Sequence, residues 1–213
     1  MKTSNDQIDS AESKESQMHI VALLGSPNVK SRSSALAEYL LGELAGRDVE
    51  VRIYSVENFD ANSLLRADFK NEQVQAYLKD VAGAAGLIVS TPVYKASISG
   101  ALKTMLDLIP EGGLQHKSVL PVASGGSPAH MLAVDHALQP IFINLKAEKA
   151  LPVVFSADCQ FVITELGNYQ ISEEILQRLD VALDRFIDGF ESHPDHPLSR
   201  DRSHSMLGET LAI

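Results

Sequence analysis

A continuous apolar run, Ile20-Val21-Ala22-Leu23-Leu24, is followed by Leu36, Leu40, Leu41 and Leu44 at helical spacing, and the chain keeps this alternation for most of its length. A strand with no polar alternate is one covered on both faces. Strand-like segments recur at 49–54, 87–89, 119–123 and 151–155, with Phe161-Val162-Ile163 read as a continuation of the last. Helical spacing marks 74–81, 99–108, 129–148 and 175–187. Strands and helices alternating at this interval predict a parallel sheet with helices on both faces. Five strands with a short first unit favour the order 2-1-3-4-5. Pro121 falls in a strand that this order buries, where its missing N–H costs a ladder bond, so a bulge is expected there.

The 213 residues suffice for one domain with a substantial core. Residues 1–17 are polar and mixed in charge and read as a disordered arm, 18–191 as the domain, and 192–213 as a polar tail. The net charge of −10, from 18 Lys and Arg against 28 Asp and Glu, argues against nucleic acid or an anionic membrane as partner. Cys159 is the only cysteine and reads as a small buried hydrophobe, so no internal disulfide forms and a reducing cytoplasm is expected. No apolar run approaches the roughly 20 residues of a membrane span, and the first residues lack the apolar core of a signal peptide.

Three turns follow strands and so share the carboxyl edge of such a sheet, where ligands of open α/β sheets bind. The first, from Gly25 to Ser34, leads into a helix N-terminus, whose free amides and positive dipole end suit a phosphate. It adds the hydroxyls of Ser26, Ser31, Ser33 and Ser34 and the cations Lys30 and Arg32. Its spacing is neither G-x-G-x-x-G nor G-x-x-x-x-G-K-[ST], which disfavours dinucleotide binding and triphosphate hydrolysis. Taken alone, Ser31 or Ser33 could simply cap the helix. The second turn carries Pro92, Val93, Tyr94 and Lys95, and the third Ser124, Gly125 and Gly126. Backbone amides, one aromatic ring and a glycine pair are suited to a flat ring approached closely. The slot fits a planar heterocycle bearing a single phosphate, of which FMN is the common one, and its second turn holds no evident acid, base or nucleophile beyond Tyr94 and Lys95.

These motifs, extended by Ser99-Gly100-Ala101-Leu102-Lys103-Thr104, Leu106-Asp107, His130 and Ala133-Val134-Asp135, resemble the NADPH-dependent FMN reductases of alkanesulfonate monooxygenase systems over roughly residues 19–190. The resemblance implies an α/β, flavodoxin-like three-layer sandwich with a five-stranded parallel sheet. It implies an oxidoreductase in which hydride passes from the nicotinamide C4 of NADPH, or of NADH, to flavin N5 without a catalytic acid or base. Reduced FMN would go to a separate FMN-dependent monooxygenase. Carried over by position, Ser26, Ser31, Ser33 and Ser34 would hold the phosphate, with Arg32 or Lys30 serving because Asn28 stands where many relatives have Arg. Pro92, Val93, Tyr94 and Lys95 would hold the ring, with Ser124, Gly125 and Gly126 near its pyrimidine end, and Lys95 is a candidate stabiliser of the reduced flavin anion.

The segment 129–148 is apolar nearly all round, which suits a helix packed on its own core and on a partner subunit. The resemblance implies a homo-oligomer, dimer or tetramer, through it. Pro140 deprives the His136 carbonyl of its partner, so a bend or a π-type bulge is expected at His136, where some relatives carry an inserted Tyr. His130, Asp135 and His136 scatter around a helix, and His193 and His196 read as solvated tail residues, so no metal is expected. Two other functions fit the same slot: a quinone, azo or metal-oxyanion reductase with tightly held FMN, and a non-enzymatic electron carrier.

Overall fold

In a computed structural model of the chain, the structure describes residues 19–191 except 29 and 48. The expected arm (1–17) and tail (192–213), with His193 and His196, lie outside the described residues. In chain order the elements are β1 (His19–Leu24), α1 (Arg32–Ala45), β2 (Glu50–Ser55), α2 (Ala61–Leu65), α3 (Glu72–Gly83), β3 (Gly86–Pro92), α4 (Gly100–Leu108), β4 (Ser118–Gly125), α5 (His130–Asn144), β5 (Lys149–Ala150), β6 (Val154–Ala157), β7 (Phe161–Ile163), β8 (Tyr169–Ile171) and α6 (Glu173–Glu191).

The parallel sheet runs β2-β1-β3-β4-β5, with β6 also paired to β4, which is the 2-1-3-4-5 order. Alternate residues of each strand feed two cores. Ile20, Ala22, Ile88, Leu120 and Val122 pack with Leu36, Leu40 and Leu44 of α1 and with Ile175, Leu179, Leu183 and Phe186 of α6. Val21, Leu23, Leu87, Val89 and Val119 pack against α2, α3, α4 and α5. Both faces of the central strands are therefore dry, which is why β1 and the first half of β3 lack polar alternates, whereas the edge strand β2 carries Glu50 and Arg52.

Two expectations about strands need correction. Strand β4 keeps an unbroken register with β3 from Ser118 to Ser124, so Pro121 sits in no bulge of its own strand. The extra residue lies across from it. Val119 pairs with Ala150 and Val122 with Val154, so Leu151, Pro152 and Val153 stand opposite Leu120 and Pro121. Alternate residues of a parallel strand address the same neighbour. Leu151 donates to the Val119 carbonyl at 3.0 Å, so Pro121 also faces the fifth strand, at the point where its ladder is broken. The absent N–H costs nothing further there. Phe161–Ile163, in turn, does not prolong the fifth strand: it forms a separate antiparallel hairpin with Tyr169–Ile171. The intervening Asp158–Gln160 makes one 3₁₀ turn and leaves Cys159 exposed, not buried.

Helix α5 is shorter than the expected 129–148 and remains α-helical through Pro140, with no π turn at His136. The helix gives up one carbonyl partner and inserts no residue. It buries one stripe, Val134, Leu138 and Phe142, four residues apart, while Leu132 and Ile143 are each 72% exposed. No helix among the described residues is long and apolar enough to cross a membrane.

Three tyrosines hold their protons tightly, Tyr77 and Tyr54 at the second core and Tyr39 at the first. Burial pushes the Tyr77 hydroxyl well above its usual value, and that hydroxyl donates to the Met105 carbonyl at 3.1 Å. Burial and a 2.6 Å bond to Asp80 do the same for Tyr54. A bond to Asp180 raises Tyr39 to about 12. All three bind their protons more tightly folded than unfolded. Their stabilisation is complete below the ordinary phenol value of 10.0 and is lost as pH rises above it. Thermal melts are expected to fall steeply above pH 10, and Tyr77→Phe is expected to flatten that fall; equal slopes for the two proteins would refute the account.

Candidate active site

Strands β1, β3 and β4 end at one edge, and the three turns that leave them enclose a cleft of about 280 Å³. On the first side, Ser31 caps α1 in extended conformation and its Oγ accepts the Ser34 amide at 3.1 Å. Among the described residues no protein group takes the amides of Arg32 and Ser33, the remaining donors of the first turn. Ser26 and Asn28 brace the turn: the Ser26 hydroxyl donates to the Asn28 carbonyl at 2.8 Å and accepts the Asn28 amide at 3.1 Å. Gly25 lies so close to β3 that a Cβ there would sit 2.6 Å from the Ser90 carbonyl. The Ser90 hydroxyl in turn donates to the Ser33 carbonyl at 2.7 Å, clamping the start of α1 onto the sheet.

On the second side, Pro92, Val93 and Tyr94 line the cleft. Tyr94 and Ser97 exchange two backbone bonds of 3.0 Å across Lys95 and Ala96, whose φ angles are +50° and +58°. Both central residues of this tight turn are left-handed, yet neither is Gly, Asn or Asp. Such backbone costs roughly 1 kcal/mol per residue and persists only where its surroundings fix it. The surroundings do so here: the Ser99 amide donates to Thr91 Oγ1 at 3.0 Å, and the Ser99 hydroxyl caps α4 and also donates to the Gly25 carbonyl. The first two turns are thus one hydrogen-bonded unit.

The third side is Ser124, Gly125 and Gly126. Val93 donates to the Ser124 carbonyl at 2.8 Å, drawing the second and third turns together. A Cβ on Gly125 would meet Val93 Cγ2 at 2.9 Å, whereas one on Gly126 would point into open space. This wall is bare backbone, which a flat ring can approach closely.

Of the residues expected from sequence, Ser26, Ser31, Arg32, Pro92, Val93, Tyr94, Ser124, Gly125 and Gly126 line the cleft, joined by Lys30 and Asn28. Ser33 and Ser34 are buried behind it, with both hydroxyls within 3.1 Å of Ser31 Oγ. Lys95 is exposed in its turn and does not line it. Two lining residues escaped the sequence reading, Asp158 and Tyr169. Asp158 is the first residue after β6, at the same carboxyl edge as the other turns, so the edge rule applied to the fifth strand would have found it. Tyr169 opens β8 and has no such signal. Arg32 lies between the two, its Nε 3.5 Å from Asp158 Oδ1 and its guanidinium carbon 5.3 Å from the centre of the Tyr169 ring.

Residues 18–161 match the family model for NADPH-dependent FMN reductase. The chain belongs to that family. It is 48% identical over 169 residues to the FMN reductase (NADPH) of Escherichia coli, covering 79% of this chain and 88% of that one. It is 49% identical over 170 residues to the FMN reductase (NADPH) of Pseudomonas putida, covering 79% and 86%. The apo crystal structure of the NADH:FMN oxidoreductase EMOB superposes with a TM-score of 0.73 at 35% identity, covering 86% of this chain and 94% of that one. The flavodoxin-like fold of the reductase is shared with that structure, and the protein is an oxidoreductase.

The residues present fit FMN on the reductase's own geometry. The helix N-terminus leaves amides and a cation for a phosphate, Arg32 Nε is buried without a hydrogen-bond partner among the described residues, and the glycine wall leaves room for a ring.

Proposed function

We propose that this reductase binds FMN in the cleft, reduces it with NADPH or NADH, and supplies it to a separate FMN-dependent monooxygenase of the alkanesulfonate type. The observation that carries this reading is the meeting, in one cleft, of an uncapped pair of helix N-terminal amides, a cation and a side-chain-free wall. Bound FMN would supply the hydride-accepting ring. The chain would supply position: Ser26, Ser31, Arg32 and the α1 amides at the phosphate, with Ser33 and Ser34 holding that turn from behind. Pro92, Val93 and Tyr94 would hold the ring on one side, and Ser124, Gly125 and Gly126 on the other. Lys95, next to Tyr94 in the strained turn, is the proposed counter-charge to a reduced ring. Two ligands held in contact in this cleft could pass hydride directly, with the chain contributing position and not proton transfer.

The exposed Leu132 and Ile143 of α5 support association of two or four copies along that helix, and the supply of NAD(P)H favours the cytoplasm as site of action. The deciding assay is anaerobic oxidation of NADPH or NADH by the full chain, run with FMN and with riboflavin. Turnover with FMN at much lower concentration than with riboflavin is expected, whereas no oxidation above background with FMN would refute the reading. Sedimentation of the same sample as a monomer would refute the proposed assembly.

A further inference from the structure

We propose that Asp158 limits how tightly this reductase holds the phosphate of FMN, by competing for the Arg32 guanidinium, and that Tyr169 fixes the plane in which the competition takes place. This rests on the reading of the cleft as the FMN site. The three residues come from distant parts of the chain. Arg32 is the first residue of α1, Asp158 follows β6, and Tyr169 opens the β7–β8 hairpin. Pairing of β6 with β4 and packing of Phe161 edge-on against Tyr169, at 6.0 Å and 77°, bring the last two against the phosphate turn.

The geometry is that of an exchangeable partner. Arg32 and Asp158 side chains are 35% and 45% exposed, and their closest approach of 3.5 Å leaves Arg32 Nε without a hydrogen bond. An ion pair this open is weak. A phosphate dianion at the α1 amides carries more charge than a carboxylate and binds a guanidinium in fork geometry, so it would take Arg32 away. Asp158 would then be left unpaired beside a second negative group, and that repulsion offsets part of the gain. The face of Tyr169 keeps the guanidinium plane in place during the exchange, because cation and ring attract whichever anion is present. The outcome is a phosphate held firmly enough for FMN to be selected and loosely enough for it to leave. A reductase that delivers FMN elsewhere needs both.

The test is flavin fluorescence titration of the full chain with FMN and, separately, with riboflavin, which lacks the phosphate. Asp158→Asn keeps the shape and removes the charge. It is expected to tighten FMN about five-fold and leave riboflavin unchanged, with the gain shrinking as salt is raised. Asp158→Ser is expected to do the same should the asparagine variant melt early. Tyr169→Leu is expected to weaken FMN about three-fold at unchanged riboflavin affinity. In an Arg32→Gln background the gain from Asp158→Asn is expected to disappear. Persistence of the full gain there would overturn competition for Arg32, as would an unchanged FMN affinity in both Asp158 variants. A wild-type protein that binds riboflavin as tightly as FMN would instead remove the phosphate reading itself, and this proposal with it.

Discussion

Replacing Gly25 by alanine is expected to destabilise the domain by about 3 kcal/mol and to abolish detectable FMN binding. The added carbon would stand 2.6 Å from the Ser90 carbonyl and 2.6 Å from Leu102 Cβ, and neither can yield. Ser90 O already accepts the Gly25 amide at 2.7 Å, so the contact is with sheet backbone. Leu102 is fully buried in the first turn of α4, whose capping residue, Ser99, donates to the Gly25 carbonyl. Relief requires the phosphate turn to lift off β3, and this would release the Ser90–Ser33 bond that seats α1. Denaturant unfolding measures the first effect and FMN titration the second. A loss under 1 kcal/mol with intact binding would show that the close packing of these turns has slack that the distances deny.

Arg32→Gln is expected to weaken FMN binding about thirty-fold, the effect of losing roughly 2 kcal/mol of charge-assisted hydrogen bonding, while riboflavin binding stays near wild type. Glutamine keeps the first part of the stem and a neutral donor, and gives up both the charge and the guanidinium carbon that lies 5.3 Å from the centre of the Tyr169 ring. The FMN-to-riboflavin difference in wild type is expected to shrink at high salt and in the variant to be insensitive to it. A variant that loses both flavins equally would place Arg32 in the scaffold and not at the phosphate. Because Arg32 contributes no acid or base chemistry in this reading, turnover at saturating FMN is expected to change little.

The fold was legible because the sheet is dry on both sides. Ile20–Leu24 and Leu87–Val89 carry no polar alternates, and only burial under two helix layers explains that. What escaped depended on partners distant in sequence. Pro121 looked like a defect of its own strand because the break in the facing strand, at Leu151, Pro152 and Val153, is visible only once the two are aligned. Phe161–Ile163 has the same β-branched and aromatic character whether it extends a strand or begins a hairpin. The apolar character of α5 could not say which side meets this chain's core: Val134, Leu138 and Phe142 are buried in it, and Ala137 and Ile141 pack against it. At the site, the three turns could be placed together because each follows a strand and so must reach the same edge. Tyr169 reaches that edge only through the hairpin, which no local pattern announces.

The one-residue offset in the fifth strand has a consequence for life in a crowded solution. A long, straight outer strand would offer unpaired amides and carbonyls to any similar edge it met, the first step toward runaway sheet growth. Here that border consists of two residues, an interruption carrying an exposed proline, and four more residues displaced by one step. The opposite border, β2, carries Glu50 and Arg52, paired with each other at 2.8 Å. Neither side presents a template that a second sheet could follow for more than a few residues, and on the fifth-strand side the Val153 amide and the Phe155 carbonyl are already taken by Asp135 and Arg178.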